Sequence, residues 1–376
     1  MNDKEAGVAG AVLRLVIVAA FLAGLPLLGG WAVPATVEQM AELPPRTQYV
    51  GPAPFSWIAF TAYSVFILVC VVPFVVRAAR GGLRRQPEPT DEARRRAFPW
   101  WGWTGVALGA AAWVLAWTRF PWFALFQRHT FAPLWLAYVL VVNALTYRRT
   151  GRCLMLGRPK SFALLFPASA AFWWFFEYLN RFVQNWLYVE VEFSAAEYVL
   201  FATLAFSTVL PAVLSTREWL LSFGRFDRVF RSGLPVRFGR PRAAAAAAIL
   251  IASVALANIG VAPDYLFPFL WVAPLLIIVG VQTLCGERHL FSGVPRGDWR
   301  PVVSAALAAL VCGCFWELWN YHSLAKWYYA VPFVHAIQIF EMPLLGYAGY
   351  LPFGMECVAL SELMARPAGD TPAEQR

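Results

Sequence analysis

Two Glu-x-x-Asn pairs are the features of this sequence best suited to chemistry: Glu177 with Asn180, and Glu317 with Asn320. Positions i and i+3 share a helix face, so each pair presents a carboxyl beside an amide. Both pairs lie in long apolar runs, where an ionised carboxylate is costly and where those retained face a cavity or a partner. Another acid follows each pair at the head of the next apolar run, Glu197 in one case and Glu341 in the other. Four carboxyls brought together would set a protonated acid beside an ionised one, which is what general acid/base chemistry needs. On this reading Glu177 and Glu317 are the acid/base pair, and Asn180 and Asn320 orient them. The plainer reading makes all of them helix-end residues bonded to one another, to water or to loop backbone. It suits Glu197 and Glu341 best, because the first turn of a helix favours an acid through the dipole alone. Glu190 and Glu192 read as solvated loop charges.

Glu356 is a separate case. Its segment, PLLGYAGYLPFGMEC, carries Pro343, Gly346, Gly349, Pro352 and Gly354, a density that kinks or unwinds a membrane helix and frees backbone groups. A broken helix beside a carboxylate is how transporters build ion sites, although small residues also serve close helix packing. A substrate pocket would draw on Glu341, His322, Trp316, Trp319 and Glu356. His322 and His335 flank a loop near Glu317 and Glu341, but no HExxH or HxxxH pair accompanies them, so no metal site is assigned. Cys312-Gly-Cys314 reads as small residues against a neighbouring helix. The six cysteines, Cys70, Cys153, Cys285, Cys312, Cys314 and Cys357, fall in or beside apolar runs and form no disulfide framework. No P-loop, GxGxxG or intramembrane Lys is present, and the sequence names no cofactor.

The elements that must position these residues are membrane helices. Of the 376 residues, 60% are hydrophobic and 14% charged, far fewer charges than a soluble domain carries. The apolar residues come in runs of about 17 to 23, the length that crosses roughly 30 Å of hydrocarbon as a helix. The pattern predicts an all-α polytopic integral membrane protein of about ten spans, at 8–29, 55–76, 99–118, 131–147, 161–180, 196–215, 243–262, 265–283, 301–320 and 338–363. Residues 1–98 form an N-terminal two-span hairpin with a basic loop. Four spans follow within 99–242 and four within 243–376. With the N-terminus inside, 25 Arg and Lys fall on cytoplasmic segments against five outside. Both termini are therefore expected in the cytoplasm and the chain in the plasma (inner) membrane. Contact with anionic lipid headgroups follows from the +9 net charge. Nucleic-acid binding does not, since no soluble domain gathers the basic residues. The oligomeric state is not legible.

The two four-span units look alike. FAPLWLAYVLVVNALT (131–146) lies over FPFLWVAPLLIIVGVQ (267–282), and FFEYLN (175–180) over FWELWN (315–320). A Trp/Tyr-rich segment follows each: Trp186, Leu187 and Tyr188, then Trp327, Tyr328 and Tyr329. The offset drifts from 136 to 140 to 144, as small loop insertions produce. Four spans is an even number, so the units are expected to enter the bilayer the same way round, a parallel repeat. Ser161 to Glu177 and Pro301 to Glu317 are both 16 residues, which places each Glu about 24 Å from the start of its span.

With paired intramembrane acids and abundant aromatics, the duplicated pattern loosely resembles the small integral-membrane terpenoid and carotenoid cyclases. None of their motifs matches residue by residue, and no family is assigned. The expectation is an intramembrane enzyme acting on a lipid or isoprenoid-type substrate by carboxyl acid/base chemistry in the outer leaflet. A transporter or flippase, or a non-catalytic subunit of a membrane complex, is the alternative. The Trp and Tyr residues mostly read as an interfacial belt, and some as a pocket lining for a developing cation.

Overall fold

The computed structural model describes residues 3–30, 42–45, 51–83, 96–189 and 191–365. Glu190 lies outside the described residues, as do Lys4's side chain and Arg46, Arg84, Arg85, Arg94, Arg95, Arg366 and Arg376 of the charge count. The chain is mostly helical. α1 spans Asp3–Gly30, α2 Trp57–Leu83, α3 Trp100–Trp117, α4 Phe131–Thr150 and α5 Pro159–Val183. After β1 (Trp186–Val189) come α6 (Ala195–Phe206), α7 (Val209–Leu221) and the short α8 (Gly224–Phe230). α9 (Pro241–Ala257), α10 (Pro268–Leu284) and α11 (Arg300–Tyr321) lead to β2 (Lys326–Tyr329), β3 (Gln338–Ile339), β4 (Met342–Pro343) and α12 (Tyr350–Ala365). Five stretches are long and apolar enough to cross a membrane: Trp57–Gly81, Gln127–Thr150, Pro159–Val183, Ala195–Leu221 and Arg300–Tyr321. This is a helical membrane protein.

Local chemistry sets the helix ends. Pro159 and Pro241 stand in the first turns of α5 and α9, where a missing N–H costs nothing. Ser194 and Glu197 form a reciprocal capping box on α6. Gly151 ends α4 at φ 76°, a conformation that needs glycine.

The run 196–215 falls within one apolar stretch, Ala195–Leu221, long enough to cross a membrane, but it breaks between α6 and α7 at Ser207 and Thr208. The Ser169 hydroxyl of α5 donates to the Phe206 carbonyl (2.5 Å) and accepts from the Leu210 N–H (3.0 Å). One buried side chain thus enters the i→i−4 ladder and satisfies both ends. Pro211 removes a further donor at the same place. The predicted span 338–363 is corrected here: it is not one helix. β3 and β4 pair as a hairpin, Gln338 with Pro343 and Ile339 with Met342. Residues Leu344–Gly349 form a 3₁₀ turn, and α12 begins only at Tyr350. Glu341 therefore sits in a hairpin turn, and the first-turn dipole reading does not apply to it. The prolines and glycines of this segment explain the unwinding.

Close approach of helices rests on small residues. A Cβ at Gly354 of α12 would overlap the Ala305 carbonyl of α11, and one at Gly280 of α10 would meet Ile249 of α9 at 2.6 Å. α2 is the exception, since no residue of its apolar stretch is buried. It is held at its two ends. Ser56 N–H donates to the Phe333 carbonyl at 3.0 Å, and Phe333 N–H to the Ala53 carbonyl at 3.2 Å. At the far end the Arg77 guanidinium donates to the Val229 and Ser232 carbonyls.

Candidate functional site

β1 and β2 form an antiparallel ladder that joins the two halves of the chain, pairing Trp186 with Tyr329, Leu187 with Tyr328, Tyr188 with Trp327 and Val189 with Lys326. Each strand is fixed to the helix before it by the Asn of the Glu-x-x-Asn pair. The Asn180 amide donates to the Trp186 carbonyl (2.8 Å), while its oxygen accepts from the Asn185 and Trp186 N–H groups (2.7 and 3.4 Å). The Asn320 amide donates to the Trp327 carbonyl (2.8 Å) and accepts from the Trp327 N–H (2.9 Å). The Asn residues thus hold the strands, one turn beyond the carboxyls they were expected to orient.

The strands then turn tyrosines back onto the acids. Tyr188 O–H donates to Glu177 Oε1 and Tyr329 O–H to Glu317 Oε1, both at 2.6 Å. The other donors differ. Glu177 Oε1 also accepts from the indoles of Trp173 (3.1 Å) and Trp186 (3.0 Å). Glu317 Oε1 accepts instead from Tyr350 O–H of α12 (2.7 Å). Position 313, 140 residues after Trp173, is a glycine, and a Cβ there would overlap the Tyr350 ring. Phe206, 144 residues before Tyr350, has no hydroxyl to give. A donor from the same helix on one side is thus replaced, on the other, by a donor from the following helix seated over a glycine.

One cavity of about 1600 Å³ is lined by Glu177 and by the donors of Glu317. Glu177 lines it together with Trp173, Trp186, Trp271 and Tyr188. Glu317 does not line it. Tyr329 and Tyr350, its two donors, do, as does Trp316, which stacks on Tyr350 at 5.7 Å. Glu317 Oε2 is buried without a protein partner. All three donors to Glu177 reach Oε1. Phe176 stacks on Trp271 at 5.3 Å and completes the apolar backing.

The four acids do not gather. Glu197 stays in its exposed capping box and pairs with Arg128 at 3.3 Å. Glu341 accepts from Lys326 Nζ at 2.8 Å, and that lysine also lies 4.4 Å from the Tyr328 ring. Burial works against the Lys326 charge, but the hydrogen bonds and charges of Glu341 and Tyr328 together outweigh it and hold the ammonium above the ordinary lysine range. Arg128 and Lys326 line the cavity, whereas their carboxylate partners do not.

The remaining candidates lie off the cavity wall. Trp319 is packed against Trp135 (5.2 Å), and His322 against Trp117 (4.9 Å). His335 bonds the Val331 carbonyl, and among the described residues no three His, Cys, Asp or Glu converge as a metal site. Glu356 is fully buried, one residue beyond the lining Met355. Its Oε1 accepts the Leu275 N–H at 3.2 Å, next to Pro274 of α10, and Oε2 has no partner. Glu356 therefore takes up a backbone donor at a proline kink.

Sequence reasoning passed over Tyr188, Tyr329, Tyr350, Trp173 and Trp186 as partners of the acids. For the strand residues the signal was present, because a Trp/Tyr segment follows each Glu-x-x-Asn at nearly the same distance, Tyr188 eleven residues after Glu177 and Tyr329 twelve after Glu317. No family model, curated protein or solved structure matches this chain. The geometry alone carries the functional reading.

Proposed function

We propose that this chain is an intramembrane enzyme that transfers protons to and from a lipid-soluble substrate. The observation that carries this reading is Glu177, a carboxyl on the wall of a large aromatic cavity with three donors fixed on one oxygen. Three donors on Oε1 hold the carboxyl in one orientation, and Oε2 is the oxygen that would carry the proton. Holding the reacting group in place before reaction is the main contribution a rigid site makes. Tyr329 and Tyr350 present a second proton-bearing group, with Glu317 behind them. A substrate lying between them gains a proton from Glu177 Oε2 and loses another to a tyrosine hydroxyl, which passes its own to Glu317. Ten spans, two parallel four-span units, cytoplasmic termini and an inner-membrane location complete the proposal. The matched Asn-to-strand and Tyr-to-Glu bonds support the two-unit reading, and the arginine distribution supports the orientation.

A second reading, a transporter or flippase, is favoured by the breaks at Ser207–Thr208 and Leu344–Gly349, which free backbone beside the cavity. Reconstitution in vesicles of the host's own lipid extract separates the two. Lipid species are followed by mass spectrometry, and leaflet exchange by dithionite quenching of a fluorescent lipid. Conversion of a lipid species by wild type that is lost in Glu177→Gln, with thermal stability kept, supports the enzyme, because Gln retains the acceptor but not the titratable proton. Leaflet exchange without conversion supports the transporter.

A further inference from the structure

The lining of the cavity repeats itself. On one side it is formed by Tyr198, Phe201 and Ala205 of α6, and on the other by Met342, Leu345 and Gly349, each 144 residues further on. The match extends along the whole segment. Every lining position between 198 and 208 has a lining counterpart between 342 and 352 at that same offset, and the reverse holds. The preceding segments match in part at an offset of 136, Phe131 with Phe267, Ala132 with Pro268 and Leu136 with Val272 all being on the wall. The cavity is therefore lined alike along two sides, its two apolar arms, and β1 and β2 contribute to the same wall. Its polar lining includes Glu177, Asn185, Tyr188, Tyr329 and Lys326. Beyond the second arm, one face of α2 (Tyr63, Phe66, Ile67, Cys70 and Val71) forms a wall with exposed, membrane-accessible edges.

We infer that the ligand of this cavity is a two-chain amphiphile, with its polar head against this polar lining and one hydrocarbon chain in each arm. A single-chain ligand would leave one arm empty, and filling apolar volume is favourable by about 0.8 kcal/mol per buried methylene. At about 1600 Å³ the cavity exceeds the roughly 300–1,000 Å³ of a drug-sized site, as a lipid requires. α2, clamped at both ends and unburied between them, leaves a lateral entrance for a molecule arriving from the bilayer. The inference deepens the proposal of a lipid-soluble substrate but requires no turnover, so it is tested in the inactive Glu177→Gln protein.

The experiment measures competition for one fluorescent phospholipid in detergent micelles, using dioleoyl-phosphatidylglycerol and its one-chain lyso form as probes. The two-chain probe is expected to bind at least tenfold more tightly than the one-chain probe. Gly349→Trp and Ala205→Trp each plug one arm. A Cβ at Gly349 meets only ordinary contacts, with Trp271 at 3.8 Å, and Gly349 lines the cavity, so a side chain there starts without a clash. Either plug should lower two-chain affinity at least tenfold and one-chain affinity no more than about twofold. Equal affinity of the two probes for the unplugged protein overturns the inference without reference to any variant. Loss of conversion activity with this pattern intact would count against the acid/base proposal alone.

Discussion

The glycine at 313 offers the sharpest test of how the second acid is held. A methyl group there would overlap the ring of Tyr350, whose hydroxyl is one of two donors to the buried Glu317. Forcing a methyl into a packed site costs about 1–3 kcal/mol. Displacing the ring also removes a donor from a carboxyl whose other oxygen already has none, a loss of about 1–3 kcal/mol. Gly313→Ala should therefore destabilise the protein by about 2–6 kcal/mol, the sum of the two. In a Tyr350→Ala background the ring is gone, and the same substitution gains the helix preference of Ala over Gly, up to about 1 kcal/mol. The effect of Gly313→Ala thus changes sign, and the double-mutant cycle should show coupling of at least about 2 kcal/mol. The assay is equilibrium unfolding in mixed micelles with increasing dodecyl sulfate, read by tryptophan fluorescence. An equal cost of Gly313→Ala in both backgrounds would refute the packing argument, and with it the claim that glycine and tyrosine here act as a pair.

Asn180→Leu and Asn320→Leu should each strand both backbone groups of a strand residue, at about 1–3 kcal/mol per group. Faster amide exchange across β1 and β2 checks this, and unchanged exchange in both variants would contradict the strand-holding role. Glu356→Leu should destabilise by about 1–3 kcal/mol by leaving the Leu275 N–H without an acceptor, while Glu356→Gln, which keeps an acceptor oxygen, should cost less. The opposite order would point to a role for the proton of Glu356. Arg300 donates to both oxygens of Asp298, and these bonds hold its carboxyl below the usual range. Its contribution is therefore complete above the ordinary Asp pKa of about 3.9 and lost as pH falls through the lowered value. Asp298→Asn should lower the melting temperature at pH 7, with a gap that closes in acid; a gap that widens would reverse the assignment.

The apolar runs by themselves determined the helical membrane architecture, because hydrocarbon leaves no other way to satisfy the backbone. Five helical stretches are long and apolar enough to cross a membrane, and the proline and glycine cluster after Glu341 announced the unwinding that the structure shows there. The spacing of Glu177, Asn180, Glu317 and Asn320 was likewise legible, since it needs only the helical period. What each residue does was not. Hydrogen-bond partners depend on which strand meets which across long separations, and the Trp/Tyr segments after each pair carry no local mark of pairing with one another. Only the ladder turns Tyr188 and Tyr329 onto the carboxyls, and only tertiary packing seats Tyr350 over Gly313. The same packing opens Glu177 to the cavity and closes Glu317 behind two hydroxyls. Two acids with the same sequence motif and the same depth in their helices are thus placed in different environments by neighbours more than thirty residues away in one case and nine or fewer in the other. Local sequence sets the face on which a side chain stands; the contacts that decide its chemistry come from chain segments whose proximity exists only once the helices have packed.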